Sequence, residues 1–287
     1  MNGSLFTNAN PTQGRLYSAR AMPQAVSSRS TPAGPGLPAT PLSVTQFLRQ
    51  VGHLPAKTAA VGLCEDGLPV LFDLGDARTG PLLVTGEEGS GKTRLLQNLL
   101  RTLVNANAAN TVQYLIIATR PEEYDTLAGQ GLRTGHCQGL YGPDEPEAAE
   151  AILRLAELAE KRYQERRPAP AILLVIDGLE AITAFEEGIA SNFEWLVKNG
   201  PAVQVWPVGA LPTSAALAMK PWIRYFRTRL VGHMPASAAE RLGVPPQAAV
   251  ETLQSGRQFT VRVGGKWLQF WLPLEQEAAE TPAGMAS

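Results

Sequence analysis

Apolar positions along the chain fall into two rhythms, one of period two or unbroken and one near 3.6, and together they mark an ordered middle. Ser43-Val44-Thr45-Gln46-Phe47-Leu48 opens it as a short helical pattern with Ser43 as N-cap. Two strand-like runs follow at 59–63 and 68–72, around the turn signal Glu65-Asp66-Gly67. Pro81-Leu82-Leu83-Val84 reads as a buried parallel strand running into glycine. Leu96, Leu99, Leu100 and Leu103 then recur at helical spacing and predict a helix from Lys92 to about Val104. Tyr114-Leu115-Ile116-Ile117-Ala118 is a second buried strand. A long helix over 147–166 carries Ile152, Leu155, Ala159 and Tyr163 on one stripe and is closed by Pro168 and Pro170. Ile172-Leu173-Leu174-Val175-Ile176 is a third strand that ends at Asp177. Further strands are predicted at 203–208 and 228–231, with a helix at 193–198 before the first. Residues 258–272 alternate like an antiparallel pair turning at Gly264-Gly265. Strands alternating with helices predict an α/β fold: a mostly parallel sheet flanked by helices, with antiparallel C-terminal strands.

The ends change character. Residues 1–41 are rich in Ser, Pro, Ala and Gly, carry Arg15, Arg20 and Arg29, and contain no acidic residue. Such a composition buries too little apolar surface to offset chain entropy, so 1–41 and 275–287 are expected to be disordered tails around one domain, 42–274. With 25 basic and 26 acidic residues, no global field draws the chain to nucleic acid or membrane. Cys64 and Cys137 fall outside any metal-binding spacing and are read as idle thiols. No apolar run approaches a membrane span, and the chain reads as cytoplasmic.

One motif carries chemistry. Gly86-Glu87-Glu88-Gly89-Ser90-Gly91-Lys92-Thr93 satisfies G-x-x-x-x-G-K-[ST], between a predicted strand and an amphipathic helix. Glycines let backbone N–H groups curl toward phosphate oxygens, and the helix N-terminus adds partial positive charge. Lys92 is then placed for the β- and γ-phosphates of ATP, and Thr93 offers its hydroxyl to Mg²⁺. Asp177, at the tip of an aliphatic strand, is the candidate for the Mg²⁺ shell, with a helix cap as its plain alternative.

The order of parts resembles the FtsK/HerA type of hexameric P-loop motor, including FtsK-like DNA translocases. The likeness runs over roughly 58–272, through Ala60-Val61-Gly62-Leu63, Gly67-Leu68-Pro69-Val70, Leu82-Leu83-Val84-Thr85-Gly86 and the loop, 172–177, and Val205-Trp206-Pro207-Val208-Gly209-Ala210-Leu211-Pro212-Thr213. It implies a RecA-like P-loop NTPase fold, ATP hydrolysis, a homo-oligomeric ring or a place in a larger motor or secretion assembly, and double-stranded DNA or a polypeptide as cargo. The chain departs from the family's pattern at three points. Gly178 stands where the family has glutamate beside the metal-shell aspartate, and the nearest acid, Glu180, lies two residues along, where a side chain points elsewhere. Gly209-Ala210 offers no amide where the family has a sensor glutamine. Lys198 is the sole cation where the family commonly supplies a trans arginine, a group worth roughly 10³ to 10⁵ in rate. These departures imply binding with slow turnover, or a non-hydrolysing regulatory or assembly subunit. Rescue would come from Glu180, from Glu87 or Glu88 on the loop, or from Arg224, Arg227 or Arg229 reaching a neighbour. Glu87 and Glu88 also read as ordinary variable loop positions.

Lys220, Arg224, Arg227 and Arg229 interleave with Trp222, Tyr225 and Phe226. That is the composition of a nucleic-acid groove, or equally of core aromatics rimmed by solvated cations. Trp267 and Trp271 share a face with Gln269, as for packing against a helix. His53, His136 and His233 are single and are assigned no chemistry.

Overall fold

A computed structural model describes residues 42–165 and 170–274. The expected tails, and Arg166 and Pro168 at the expected helix end, lie outside the described residues.

The helices are α1 (Val44–Val51), α2 (Lys92–Ala106), α3 (Asp125–Thr134), α4 (Pro146–Glu165), α5 (Glu187–Asn199), α6 (Lys220–Ile223) and α7 (Ala236–Arg241). The strands are β1 (Thr58–Cys64), β2 (Pro69–Asp73), β3 (Leu82–Gly86), β4 (Val112–Ala118), β5 (Cys137–Tyr141), β6 (Ala171–Asp177), β7 (Val205–Pro212), β8 (Thr228–Gly232), β9 (Gln258–Val263) and β10 (Lys266–Trp271). All ten join one sheet in the order β2-β1-β10-β9-β8-β3-β7-β6-β4-β5. From β8 to β5 neighbours run parallel; from β2 to β9, and where β9 meets β8, they run antiparallel.

The parallel half is covered on both faces, which is why its strands read as unbroken apolar runs. Along β6, Ala171, Leu173 and Val175 belong to the cluster shared with α2 and α3, while Ile172, Leu174 and Ile176 belong to the one shared with α4, α5 and α7. α2 buries Leu95, Leu96, Leu99, Leu100 and Leu103 on the sheet, each such leucine contributing about 1.5–3 kcal/mol relative to exposure. Ser43 caps α1 in a reciprocal pair with Gln46, as the sequence predicts. Gly264-Gly265 turns β9 into β10 with Val263 opposite Lys266.

Several boundaries differ from expectation. Residues 200–203 form a 3₁₀ turn, so β7 starts at Val205 and runs on to Pro212. α5 begins at Glu187, well before 193. α3 and β5 carry too few apolar residues to stand out: α3 buries Leu127 and Ala128 but holds two glycines, poor helix formers. Trp267 packs on the apolar cluster that includes Ala248 of the short 3₁₀ helix Pro246–Ala248. Cys137 is buried and Cys64 half-buried; burial and the nearby Asp66 and Glu65 carboxylates push the Cys64 thiol up to about 11.

Candidate functional site

β3 is buried along its whole length and delivers the chain to the loop at the C-terminal end of the parallel strands. α2 leaves the loop at Lys92, directly after Gly91, whose φ of +91° lies in the left-handed region. A Cβ there would also lie 2.9 Å from the Gly256 carbonyl oxygen, so both the conformation and the space require glycine. The N–H groups in the first turn of α2 have no intrahelical acceptor, and the helix dipole makes that end attractive to anions. Lys92 folds back over the loop, and its Nζ donates to the carbonyl oxygens of Gly86 (3.1 Å) and Glu87 (2.7 Å). Burial holds its ammonium below the ordinary lysine range, Arg120 adds to that, and Asp177, Glu180 and Glu88 oppose it.

β6 brings Asp177 to the same end of the sheet, with β7 between β6 and β3 and Ala210 opposite Asp177. Thr93 Oγ1 donates to Asp177 Oδ2 at 2.7 Å, and the hydroxyl of Tyr124 donates to the same oxygen at 2.9 Å. The backbone N–H of Thr119 donates to the Asp177 carbonyl at 3.0 Å. Tyr124 is fully buried; that burial, reinforced by the Asp177 charge, pushes its phenol well above the ordinary tyrosine range.

Gly178 has φ +102°, and a Cβ on it would lie 2.4 Å from Thr119 Cγ2. Its left-handed turn starts the 3₁₀ segment Leu179–Ala184 and brings Glu180 into a cleft of about 1100 Å³ that Lys92, Thr93 and Asp177 also line. The expectation that Glu180 points elsewhere is therefore corrected: the chain turns at 178 and the 3₁₀ segment carries Glu180 into the cleft. Glu180 Oε2 is buried and has no hydrogen-bond partner. Ala210 lines the cleft without an amide, as read from the sequence; Thr213 and Ser214, to which the sequence reading gave no role, also line it.

Around the loop, Glu87 Oε2 lies 3.1 Å from His233 Nδ1, so a histidine assigned no chemistry fixes one loop carboxylate. Glu88 is exposed, and Ser90 is buried with its hydroxyl unpartnered. The segment before β9 leans on the loop: Ser255 Oγ donates to the Gly89 carbonyl (3.3 Å) and Arg94 Nη1 to that of Gly256 (3.2 Å).

The basic cluster comes apart in space. Phe226 is buried, Trp222 packs against Phe193 at 5.7 Å, and the Tyr225 ring lies under Lys198 and Arg224. Lys198 also pairs with Glu194. Arg229 is mostly buried and donates to the carbonyls of Ile223 (2.9 Å), Phe226 (3.3 Å) and Leu242 (3.5 Å), so it is held within its own chain. Arg224 and Arg227 remain exposed. Among the described residues no cluster of three or more His, Cys, Asp or Glu could cage a metal, and no helix is long and apolar enough to cross a membrane.

Residues 70–205 match the family model of an AAA ATPase domain. Among solved structures, ATPases 2 and 3 of Thermomonospora curvata EccC, in complex with a signal sequence peptide, superpose with a TM-score of 0.67 at 15% identity, covering 87% of this chain and 46% of that one. The pCW3 conjugation coupling protein TcpA with ATPγS gives 0.65 at 16% identity, covering 83% and 70%. EssC ATPases 2 and 3 from Geobacillus thermodenitrificans give 0.65 at 15%, covering 85% and 49%. The chain thus spans about half the length of the EccC and EssC chains. No curated protein matches the sequence. The fold is the one these ATPase structures share.

Proposed function

We propose that the chain binds ATP with Mg²⁺ on residues 86–93 and hydrolyses it slowly, as a cytoplasmic ATPase domain of FtsK/HerA type. The observation that carries this reading is the 2.7 Å hydrogen bond from Thr93 to Asp177 inside the cleft that holds Lys92. The donor set suits the ligand: loop amides and a lysine for polyphosphate, and a hydroxyl with a carboxylate for a hard, oxygen-seeking cation. Thr93 spends its proton on Asp177 and keeps its lone pairs for a cation, and Asp177 Oδ1 receives no hydrogen bond in the described structure. When bound, Mg²⁺ supplies neutralisation of charge on the β- and γ-phosphate oxygens.

The chain's own groups divide the remaining work. Loop amides from Gly86 to Thr93, with Ser90 among them, hold phosphate oxygens. Lys92 exchanges its two carbonyl acceptors for phosphate. Glu180, part-buried with an unsatisfied oxygen, accepts a proton from water in the cleft, the task the family gives to a glutamate at the position of Gly178. Glu87 and Glu88 take no part, one being tied to His233 and the other exposed.

Slow turnover follows from what surrounds this core. Ala210 offers no amide to a γ-phosphate, and Arg229 and Lys198 are occupied within the chain, leaving Arg224 and Arg227 as exposed arginines for a neighbour. We place the domain in a ring of like subunits or a larger motor or secretion assembly, with DNA or a polypeptide as cargo. EccC was solved with a signal sequence peptide, which supports a polypeptide cargo, and TcpA with ATPγS, which supports the nucleotide. A second reading, a non-hydrolysing assembly subunit, is favoured by Gly178 and Ala210.

Labelled-ATP uptake and phosphate release, each with and without double-stranded DNA, decide between them. Wild-type protein is expected to take up Mg-ATP and Lys92→Ala to take up none. Glu180→Gln is expected to keep uptake and lose about 10²-fold in phosphate release. Uptake without any release supports the assembly subunit, and no uptake by folded wild type removes both readings.

A further inference from the structure

Asp177 is held by more than the threonine of the phosphate loop. Its Oδ2 accepts two hydroxyl donors, Thr93 Oγ1 at 2.7 Å and Tyr124 OH at 2.9 Å. The two donors come from different elements. Thr93 belongs to α2, while Tyr124 ends the short 3₁₀ turn Pro121–Tyr124 that follows β4. Tyr124 is completely buried, and its ring belongs to the apolar cluster beneath the sheet that contains Leu95, Leu96, Ala118 and Leu127. A phenol locked by that packing has one place to put its proton, and the structure places it on this carboxylate.

We propose that Tyr124 is the positioning residue for the cation site: it fixes the rotation of the Asp177 carboxylate so that Oδ1 is presented to the Mg²⁺ shell. This rests on the nucleotide-binding reading and extends it to a residue outside the loop and its strand. A carboxylate held by Thr93 alone could pivot about that one bond. A second donor on the same oxygen removes the pivot, because both hydrogen bonds lie on Oδ2 and the remaining oxygen has its direction set. The main chain adds to the grip, with Thr119 N–H bonded to the Asp177 carbonyl. The same short segment also lines the nucleotide cleft through Thr119, Arg120 and Glu123, and Gln97 of α2 donates to the Glu123 carbonyl at 2.8 Å. The wall that sets the aspartate is thereby tied to the helix that carries Lys92 and Thr93.

Outer partners of this kind typically change metal affinity 10- to 100-fold while leaving the ligands themselves in place. Tyr124→Phe keeps the ring and its packing and removes only the proton donor. The test is a Mg²⁺ titration of labelled-ATP uptake by the full chain, with uptake in EDTA measured beside it. Tyr124→Phe is expected to raise the half-saturating Mg²⁺ concentration about ten-fold and to leave Mg²⁺-free uptake, which depends on loop amides and Lys92, within about two-fold. In an Asp177→Ala background, which leaves no side-chain acceptor, Tyr124→Phe is expected to add no further change, because the coupling between the two residues is then gone.

An unchanged Mg²⁺ midpoint with normal uptake overturns the proposal and leaves the nucleotide site standing. Equal losses with and without Mg²⁺, or an undiminished effect in the Asp177→Ala background, also overturn it, since they make Tyr124 a packing residue. Absence of uptake by the wild type is a different outcome and removes the nucleotide reading itself.

Discussion

At position 178 a side chain of any size meets two obstacles, a left-handed φ of +102° and the Thr119 methyl group 2.4 Å from where its Cβ would stand. Restoring the family's glutamate by Gly178→Glu is therefore expected to lower stability by about 2 kcal/mol or more without raising phosphate release. A thermal melt beside the phosphate assay checks both halves. Lys92 offers a test by pH. Its ammonium is held below the usual lysine pKa of roughly 10.4, so the unfolded chain binds more protons there. Stability of the free protein should accordingly rise slightly as pH climbs through the lowered value. ATP uptake should move the other way, complete near neutral pH and falling across that same alkaline window as the positive charge is lost. A flat uptake profile up to the ordinary lysine range would contradict this. At this scale the loop was fully legible, because eight consecutive residues carry its chemistry. Tyr124 and Glu180 were not: one reaches Asp177 across 53 positions, and the other is turned inward by the conformation of a neighbour.

Elements were legible in proportion to how completely they are buried. β3, β4 and β6 lie between two helical layers and read as aliphatic runs. α3 escaped notice because its short apolar stripe is interrupted by glycine, and β5 because an edge strand of burial pattern mixed with exposed positions leaves no run. The stretch 220–229 looked basic and aromatic, a pattern that local sequence could not resolve into core and surface. Arg229 supplies the resolution, pinning the α6 segment and the end of α7 through three carbonyls. Arg229→Ala is expected to cost about 2 kcal/mol from those charged hydrogen bonds, lowering the melting temperature by several degrees with Mg-ATP uptake unchanged. A loss of uptake at full stability would instead assign Arg229 to the nucleotide.

For the whole molecule, the sheet is continuous from an antiparallel wing to a parallel half that carries the cleft, and the layout followed the sequence closely because hairpin turns and strand-helix alternation are both local signals. The join between the ends of the described chain was not predicted. Leu274 N–H donates to the Leu42 carbonyl at 2.7 Å, and Val44 N–H to that of Leu274 at 2.9 Å. Leu274→Pro deletes the first bond. It should speed hydrogen exchange and proteolysis within α1 while the cleft still takes up Mg-ATP; equal protection of α1 in both proteins would show the join to be unimportant.

That join has a geometric corollary. Polypeptide enters and leaves this unit through a single doorway, with Leu42 and Leu274 side by side. A module built so can be strung in series with others, or spliced into the surface loop of a host, without stretching its sheet.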